Sequence, residues 1–367
     1  MPISFVDLKS QYLSLKSEID AAINSVIEKT AFIRGPFAEA FEKSFAEKYG
    51  VKRCVSCANG TDAIYITLKA LGIGPGDEVI TVANSWISTS ETITQTGAKP
   101  IFVDIEPDYY HIDPEKIEEK ITSRTKAIIP VHLYGQSARM DEIQKICDKR
   151  GLLLVEDCAQ AHFATYKGRK AGTFGIAGTF SFYPGKNLGA YGDAGAMITN
   201  DENLARRALM FANHGSLRKH LHEIEGVNSR MDGIQAAVLN VKLKYIDEWN
   251  LARNKNAFIY NRLLSDVGQV KTPKIRENSF HIFHLYVIRI KKRDELADYL
   301  KTKGIDTGIH YPTALPFMPA YKYLGHKESD FPVAYEYQKE ILSLPMFPEL
   351  KEEQIQYITD AIKEFFK

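Results

Sequence analysis

The chain has almost no charge of one sign to spare. Its 47 lysine and arginine residues stand against 46 acidic ones, a formal net charge of +1 over 367 residues. That balance argues against nucleic acid or an anionic membrane surface as the principal partner. Cysteine is scarce, at four residues. Cys54 and Cys57 have C-x-x-C spacing, but Cys147 and Cys158 stand alone, so no second pair completes a zinc site. Buried thiols and no metal are expected. No apolar run reaches the roughly 18 residues of a membrane span, and the charged start "MPISFVDLKSQY" lacks the apolar stretch of a signal peptide. A cytoplasmic protein is expected. Repeats and low-complexity tracts are missing too. So is a G-x-G-x-x-G after the first strand, the signature that a nicotinamide dehydrogenase would carry.

What is present is an ordinary globular composition, 44% hydrophobic and 25% charged. The length suggests two domains, at roughly 100 to 200 residues each. Between about residues 50 and 200, short apolar runs alternate with helical patterns. "EVITVA", "KPIFVDI", "AIIPVHLYG", "LLLVEDCA", "GTFSFY" and "GAMIT" read as strands, several too apolar to be wetted on one face. "TDAIYITLKALG" and "RMDEIQKICDKRG" read as helices closed by glycine. The pattern predicts an α/β domain with a mostly parallel sheet flanked by helices. A basic segment, "HGSLRKHLHEIEGVNSRMD", leads into a long helical stretch from about Gly233 to Leu264. The remainder mixes strands and helices as a small α+β domain would. The boundary is placed near residue 245, giving a large domain over 1–245 and a small C-terminal domain over 246–367.

In an open parallel sheet, ligands gather at the carboxyl ends of the strands. There "LLLVEDCAQAH" delivers Asp157 and Gln160, "GTFSFYPGK" delivers Ser181, Tyr183 and Lys186, and "VANSWIST" delivers Trp86. "CANGTDAIY" adds Gly60 and Thr61 at the start of a helix, where free N–H groups and the helix dipole favour a phosphate. Singly, each has a plain structural reading: a solvated loop lysine, a turn-capping aspartate, a core tryptophan, a helix N-cap. Together they are what pyridoxal 5'-phosphate requires. The lysine forms a Schiff base, the carboxylate keeps the pyridine nitrogen protonated, the aromatic face fixes the ring plane, and the helix start holds the phosphate.

"NGTDA", "VEDCAQAH", "TFSFYPGKNLGAYGDAGA" and "GVNSRMDGIQAA" resemble the signatures of the DegT/DnrJ/EryC1/StrS sugar aminotransferases, of the aspartate aminotransferase fold type I superfamily. The likeness runs from "FVDLKSQY" to "HYPTALP" and "LSLPMFPEL". It implies a fold type I pyridoxal-phosphate enzyme in which Lys186 is the Schiff-base lysine and Asp157 the partner of the pyridine nitrogen. Gln160 would bond the phenolic oxygen, Trp86 would stack on the ring, and Gly60, Thr61 and Ser181 would hold the phosphate. Asn228 would reach that phosphate from the neighbouring subunit, which implies a homodimer with shared sites. The implied reaction moves an amino group from L-glutamate, leaving 2-oxoglutarate, to the keto carbon of a nucleotide-linked sugar, with Lys186 carrying the proton.

Tyr183, Arg230, His310 and Tyr311 are the pocket candidates, and Arg218, Lys219, His220 and His222 are candidates for a diphosphate contact across the dimer; a solvated basic loop is the plain alternative. The resemblance is stronger to relatives that aminate C-3 than to those that aminate C-4. A thymidine-linked 3-keto-6-deoxyhexose is the first expectation and a UDP-linked 3-keto hexuronate the second. Three departures stand out: Ala194 within "GDAGA", Phe163 after "AQAH", and Pro316-Phe317 in a segment assigned to the sugar pocket. The first two are expected to concern packing. Relatives that dehydrate instead of transaminating replace the lysine with histidine, and Lys186 is present; a non-enzymatic regulator would show a damaged cofactor set.

Overall fold

The computed structural model describes residues 2–367. Two helices, α1 (Leu8–Glu28) and α2 (Gly35–Tyr49), precede strand β1 (Arg53–Cys57). Then follow α3 (Gly60–Ala70), β2 (Glu78–Val82), α4 (Ser88–Gln95), β3 (Lys99–Val103), β4 (Thr125–Ile129), α5 (Met140–Arg150) and β5 (Leu153–Asp157). A small hairpin, β6 (Thr165–Tyr166) and β7 (Arg169–Lys170), separates β5 from β8 (Ala177–Ser181) and β9 (Gly195–Thr199). The seven long strands form one sheet in the order β1-β9-β8-β5-β4-β2-β3, in which only β9 runs against its neighbours. Strands β2 and β9 are buried at every position, as the largely apolar runs "VITV" and "GAMIT" require of a sheet covered on both faces, and the one charge, Glu78, is buried against Arg124 and Thr122. The α/β expectation holds.

Strand β1 was not legible as a strand, and it explains the C-x-x-C spacing. Side chains three apart on a strand point to opposite faces. Cys54 accordingly lies in the cluster under α1 and α2, and Cys57 in the one under α3 and α6 (Glu202–Ala212). Both thiols are buried, which raises their pKa values and keeps them protonated.

The long helical stretch is two helices, α7 (Gly233–Lys242) and α8 (Ile246–Leu264). At the break, Lys244 and Tyr245 donate to carbonyls three residues back instead of four, which tightens the turn and redirects the chain. Helix α8 then bridges two cores. Ile246 and Trp249 pack in the cluster beneath α1 and α2, whereas Ala257, Tyr260 and Leu264 pack with Phe283, Tyr286, Leu342 and Ile355. That second core is built on β11 (Tyr286–Arg289), α9 (Arg293–Thr302), β12 (Ile341–Leu344) and α11 (Glu352–Phe365), with β11 and β12 paired antiparallel, whereas β10 (Ser279–Phe280) pairs with β6 and α10 (Pro332–Tyr337) packs with Phe331 in a separate cluster. Ile3 joins it too, exchanging backbone hydrogen bonds with Gly304 and Asp306, so the first residues pack on the C-terminal half although they precede α1. Among the described residues no helix is long and apolar enough to cross a membrane.

Candidate active site

The carboxyl ends of β1, β2, β5 and β8 open on a cavity of about 570 Å3, a volume typical of cofactor and substrate sites. Gly60, Thr61, Trp86, Asp157, Gln160, Ser181, Tyr183, Lys186, His310 and Tyr311 all line it. Lys186 follows β8 in a turn closed by its own N–H to the Tyr183 carbonyl (2.8 Å). Burial of its ammonium lowers the pKa to about 8, and the attraction of Asp157 opposes that shift. Asp157 ends β5 with its carboxylate nearly buried. Its Oδ2 accepts from Thr89 Oγ1 (2.8 Å) and its Oδ1 from the Ala159 N–H (3.1 Å). Since the Thr89 hydroxyl proton is committed to Asp157, Ser85 Oγ donates to Thr89 Oγ1 (2.9 Å).

Gln160 is oriented by its neighbours. Its Oε1 accepts from the Tyr134 N–H (2.7 Å), which turns the amide NH2 into the cavity and within 3.1 Å of the Tyr311 hydroxyl. Tyr311 in turn has its ring 5.5 Å from that of Trp86, and burial raises its phenol pKa, so it is a neutral donor. Trp86 is 56% exposed and stands at the open side of the cavity. Tyr183, 59% exposed, stands at its mouth.

At the start of α3 the Asn59 side chain caps the Asp62 N–H (2.8 Å), while the N–H groups of Gly60 and Thr61 have no partner in the helix. A Cβ on Gly60 would lie 2.4 Å from Ser181 Cβ, and one on Gly195 would lie 2.2 Å from the Asn59 carbonyl oxygen. The two glycines therefore let the β1–α3 turn close onto the end of β8. Thr61 Oγ1 and Ser88 Oγ meet at 2.7 Å on the same rim. A ring of open N–H groups and hydroxyls, an amine and a carboxylate on facing walls, and an amide aimed inward fit the phosphate, aldehyde, ring nitrogen and phenolic oxygen of pyridoxal phosphate.

Several residues lie elsewhere. Asn228 is exposed on an extended segment bridged to Asn213, and Arg230 is not among the cavity-lining residues of its own chain. Between them Ser229 points inward, its hydroxyl donating to Asp62 Oδ2 (2.6 Å). Arg230 Nε is itself buried and, among the described residues, without a partner, outside that cavity. Arg218, Lys219, His220 and His222 occupy an exposed loop, likewise outside that cavity. Ala194 and Phe163 are core residues: Ala194 accepts from the Phe182 N–H, and Phe163 stacks on Tyr49 with centroids 4.4 Å apart. Pro316 and Phe317 also stand apart from the cavity. Phe317 packs on Phe331 and Tyr335, and neither residue lines the cavity.

Thr89, Ser85, Ser88 and His284 were missed. The run "NSWISTS" was available, but serine and threonine next to a helix read as caps. His284 is brought in from just before β11, distant in sequence from every strand of the large sheet.

Residues 13–363 match the DegT/DnrJ/EryC1/StrS aminotransferase family. The chain is 48% identical over its full length to a pleiotropic regulatory protein of Geobacillus stearothermophilus, covering 99% of that protein. It is 42% identical to the dTDP-3-amino-3,6-dideoxy-alpha-D-galactopyranose transaminase of Aneurinibacillus thermoaerophilus, over 99% of each chain. In structure it is similar to S. venezuelae DesV in complex with a ketimine intermediate, at 41% identity and a TM-score of 0.97 over 99% of this chain and 98% of that one. The sheet order, the lysine facing a carboxylate across a strand-end cavity and the match over nearly the whole chain lead to one conclusion: this protein belongs to the DegT/DnrJ/EryC1/StrS aminotransferase family and is an aminotransferase of fold type I.

Proposed function

We propose that the protein binds pyridoxal 5'-phosphate at Lys186 and moves the amino group of L-glutamate to C-3 of a nucleotide-linked 3-keto-deoxysugar, a thymidine-linked 3-keto-6-deoxyhexose first of all. The observation that carries this reading is Lys186, its amine buried and its pKa brought down to about 8 in the cavity it shares with the Asp157 carboxylate. Bound there, the cofactor supplies an electron sink and a carrier for the amino group.

The chain's own residues do the rest. Asp157, kept in place by Thr89 and the Ala159 N–H, holds a proton at the pyridine nitrogen. Gln160 donates to the phenolic oxygen, and Gly60, Thr61 and Ser181 hold the phosphate. Trp86 stacks against the ring. Lys186 Nζ, with a pKa of about 8, is available both as amine and as ammonium near neutral pH, so it can take a proton from the glutamate α-carbon and return one to the sugar carbon. Tyr183, His310 and Tyr311 meet the sugar. Asn228, Arg230 and Lys219, absent from the cavity lining of their own chain, serve the partner subunit's site in a homodimer: Asn228 on the phosphate, the other two on the nucleotide sugar. The C-3 assignment is supported by the named activity of the Aneurinibacillus relative. The complete cavity favours an enzyme over a purely regulatory role, despite the name of the Geobacillus relative.

The test is to load the protein with pyridoxal phosphate, add L-glutamate, and present nucleotide-linked 3-keto and 4-keto sugars in turn. A 3-amino product identified by mass and NMR is expected. A 4-amino product, or no exchange of the visible absorbance with glutamate, refutes the reading.

A further inference from the structure

Three histidines lie within the field of Lys186: His162 after β5, and His310 in the loop after α9 and His284 just before β11, both of which line its cavity. Burial holds all three neutral, His162 down to about 3 and His310 to about 4, and the charge of Lys186 adds to each shift. They differ in what their ring nitrogens meet. Both nitrogens of His162 lack a partner, and its ring lies against Phe180 and Phe182. His310 Nδ1 meets the Ser343 hydroxyl (2.8 Å), a group that can donate or accept, so its tautomer is open.

For His284 the direction is fixed. Its Nδ1 lies 3.1 Å from Asn187 Oδ1. The Asn187 amide nitrogen faces two acceptors, Asn250 Oδ1 (2.8 Å) and the Ile282 carbonyl (3.3 Å). The Asn250 amide nitrogen faces the His162 carbonyl (2.9 Å). Carbonyl oxygens of the backbone accept and never donate, so neither amide can be turned round without setting oxygen against oxygen. Asn187 must therefore present its oxygen to His284, and the imidazole proton must sit on Nδ1. That leaves Nε2 as a bare lone pair on a residue that lines the same cavity as Lys186. Asn187 and Asn250 are buried, which makes a misaligned amide costly.

We propose that His284, locked as the Nδ1–H tautomer by the Asn250–Asn187 relay, is a positioning residue whose Nε2 accepts from the amine of Lys186 whenever that amine is not held by the cofactor. The idea rests on Lys186 being the anchor. The relay starts on α8 and passes through the residue next to Lys186, so one chain of hydrogen bonds sets both the lysine loop and its acceptor. The other groups facing Lys186 are Asp157, His162 and His310; those facing His284 are Lys186, Arg253, His310 and His162. All of the latter disfavour an imidazolium or are neutral, so His284 stays an acceptor throughout the working range.

The test follows uptake of pyridoxal phosphate by cofactor-free protein, from the rise in visible absorbance, across the neutral to alkaline range. The midpoint of the rate profile reports the Lys186 amine. An acceptor favours the ammonium, so His284→Leu should move the midpoint down by about one pH unit, a tenfold change in the amine fraction at a given pH. His284→Gln keeps an acceptor and should stay within a few tenths of the unmodified protein. Equal midpoints for all three, or equal shifts for Leu and Gln, overturn the proposal. Selective 15N labelling of histidine in the loaded protein, with His284→Gln to identify the resonances, should show a protonated Nδ1 and a bare Nε2; the opposite tautomer also overturns it. If Lys186→Ala takes up the cofactor with the unmodified protein's absorbance and rate, the anchor reading falls and this one with it, an outcome distinct from a failure confined to His284.

Discussion

At the scale of single residues, the site is built from groups whose ordinary behaviour has been altered by burial. Lys186 near a pKa of 8 is the clearest case. Lys186→Ala should abolish the glutamate-dependent change in visible absorbance and lower turnover by at least roughly a hundredfold, the minimum associated with a positioned proton carrier; stopped-flow absorbance and product assays check this. Gly60 works by absence. A methyl there would meet Ser181 Cβ at 2.4 Å, forcing the β1–α3 turn away from β8. Gly60→Ala is therefore expected to weaken pyridoxal phosphate binding by about tenfold, ~1.4 kcal/mol, as read by equilibrium titration. An unchanged affinity would remove this turn from the phosphate site.

At the scale of elements, two buried charges tie strands and helices together. Glu156, one residue before Asp157 on β5, faces away from the cavity and accepts from the N–H groups of Gly172 (2.7 Å), Phe174 (2.6 Å) and Gly175 (2.8 Å). His132 Nε2 donates to the same carboxylate (2.9 Å), with its Nδ1 accepting from the Ala138 N–H (3.1 Å). Cys158 lies close by, but the Glu156 carboxylate is already filled by four donors and His132 Nε2 carries the proton, so only the thiol of this cluster is unengaged as an acceptor. Glu156→Gln sets an NH2 against a donor and should cost about 1–3 kcal/mol of stability in chemical denaturation. Lys242 ends α7 with 1% exposure, its Nζ donating to the Gly189 carbonyl (2.8 Å) in the lysine loop and sitting 4.5 Å from the Tyr191 ring centroid. Burial lowers its pKa to about 8, below the ordinary 10.5. Between those values the unfolded chain holds more protons than the folded one, so this group's contribution to stability rises with pH from about 8 to 10.5 and is flat outside that window. Lys242→Met should remove that rise; an identical slope in denaturation midpoints above pH 8 would count against it.

At the scale of the whole molecule, the residues left outside the cavity carry the claim of shared sites. If Asn228 completes the partner's phosphate site, Lys186→Ala and Asn228→Ala subunits are each inactive alone. After exchange, half the dimers are mixed and each mixed dimer has one intact site, so about a quarter of full activity should return. No recovery despite demonstrated exchange rules out that role for Asn228. The helix that joins the two cores, α8, also supplies Asn250 to the relay behind Lys186, so packing between the two halves and alignment of the lysine are coupled.

Much of this was legible in the chain. The apolar runs read as buried strands, most of them parallel, and the residues leaving the parallel β5 and β8, Asp157, Ser181 and Lys186, meet at one edge because parallel strands share a direction. Local chemistry determined the α/β layout, the open helix start at Gly60-Thr61 and the identity of the central lysine. What the sequence could not decide depends on contacts between distant segments. The break at residues 243–245, the opposite faces taken by Cys54 and Cys57, the absence of Arg230 from the cavity lining of its own chain, and the arrival of His284 in the cavity of Lys186 have no local signature. The direction of the Asn250–Asn187–His284 relay is the sharpest instance. Residues 187, 250 and 284 carry no shared pattern in sequence, and only folding places them against fixed backbone acceptors that dictate which nitrogen holds the proton.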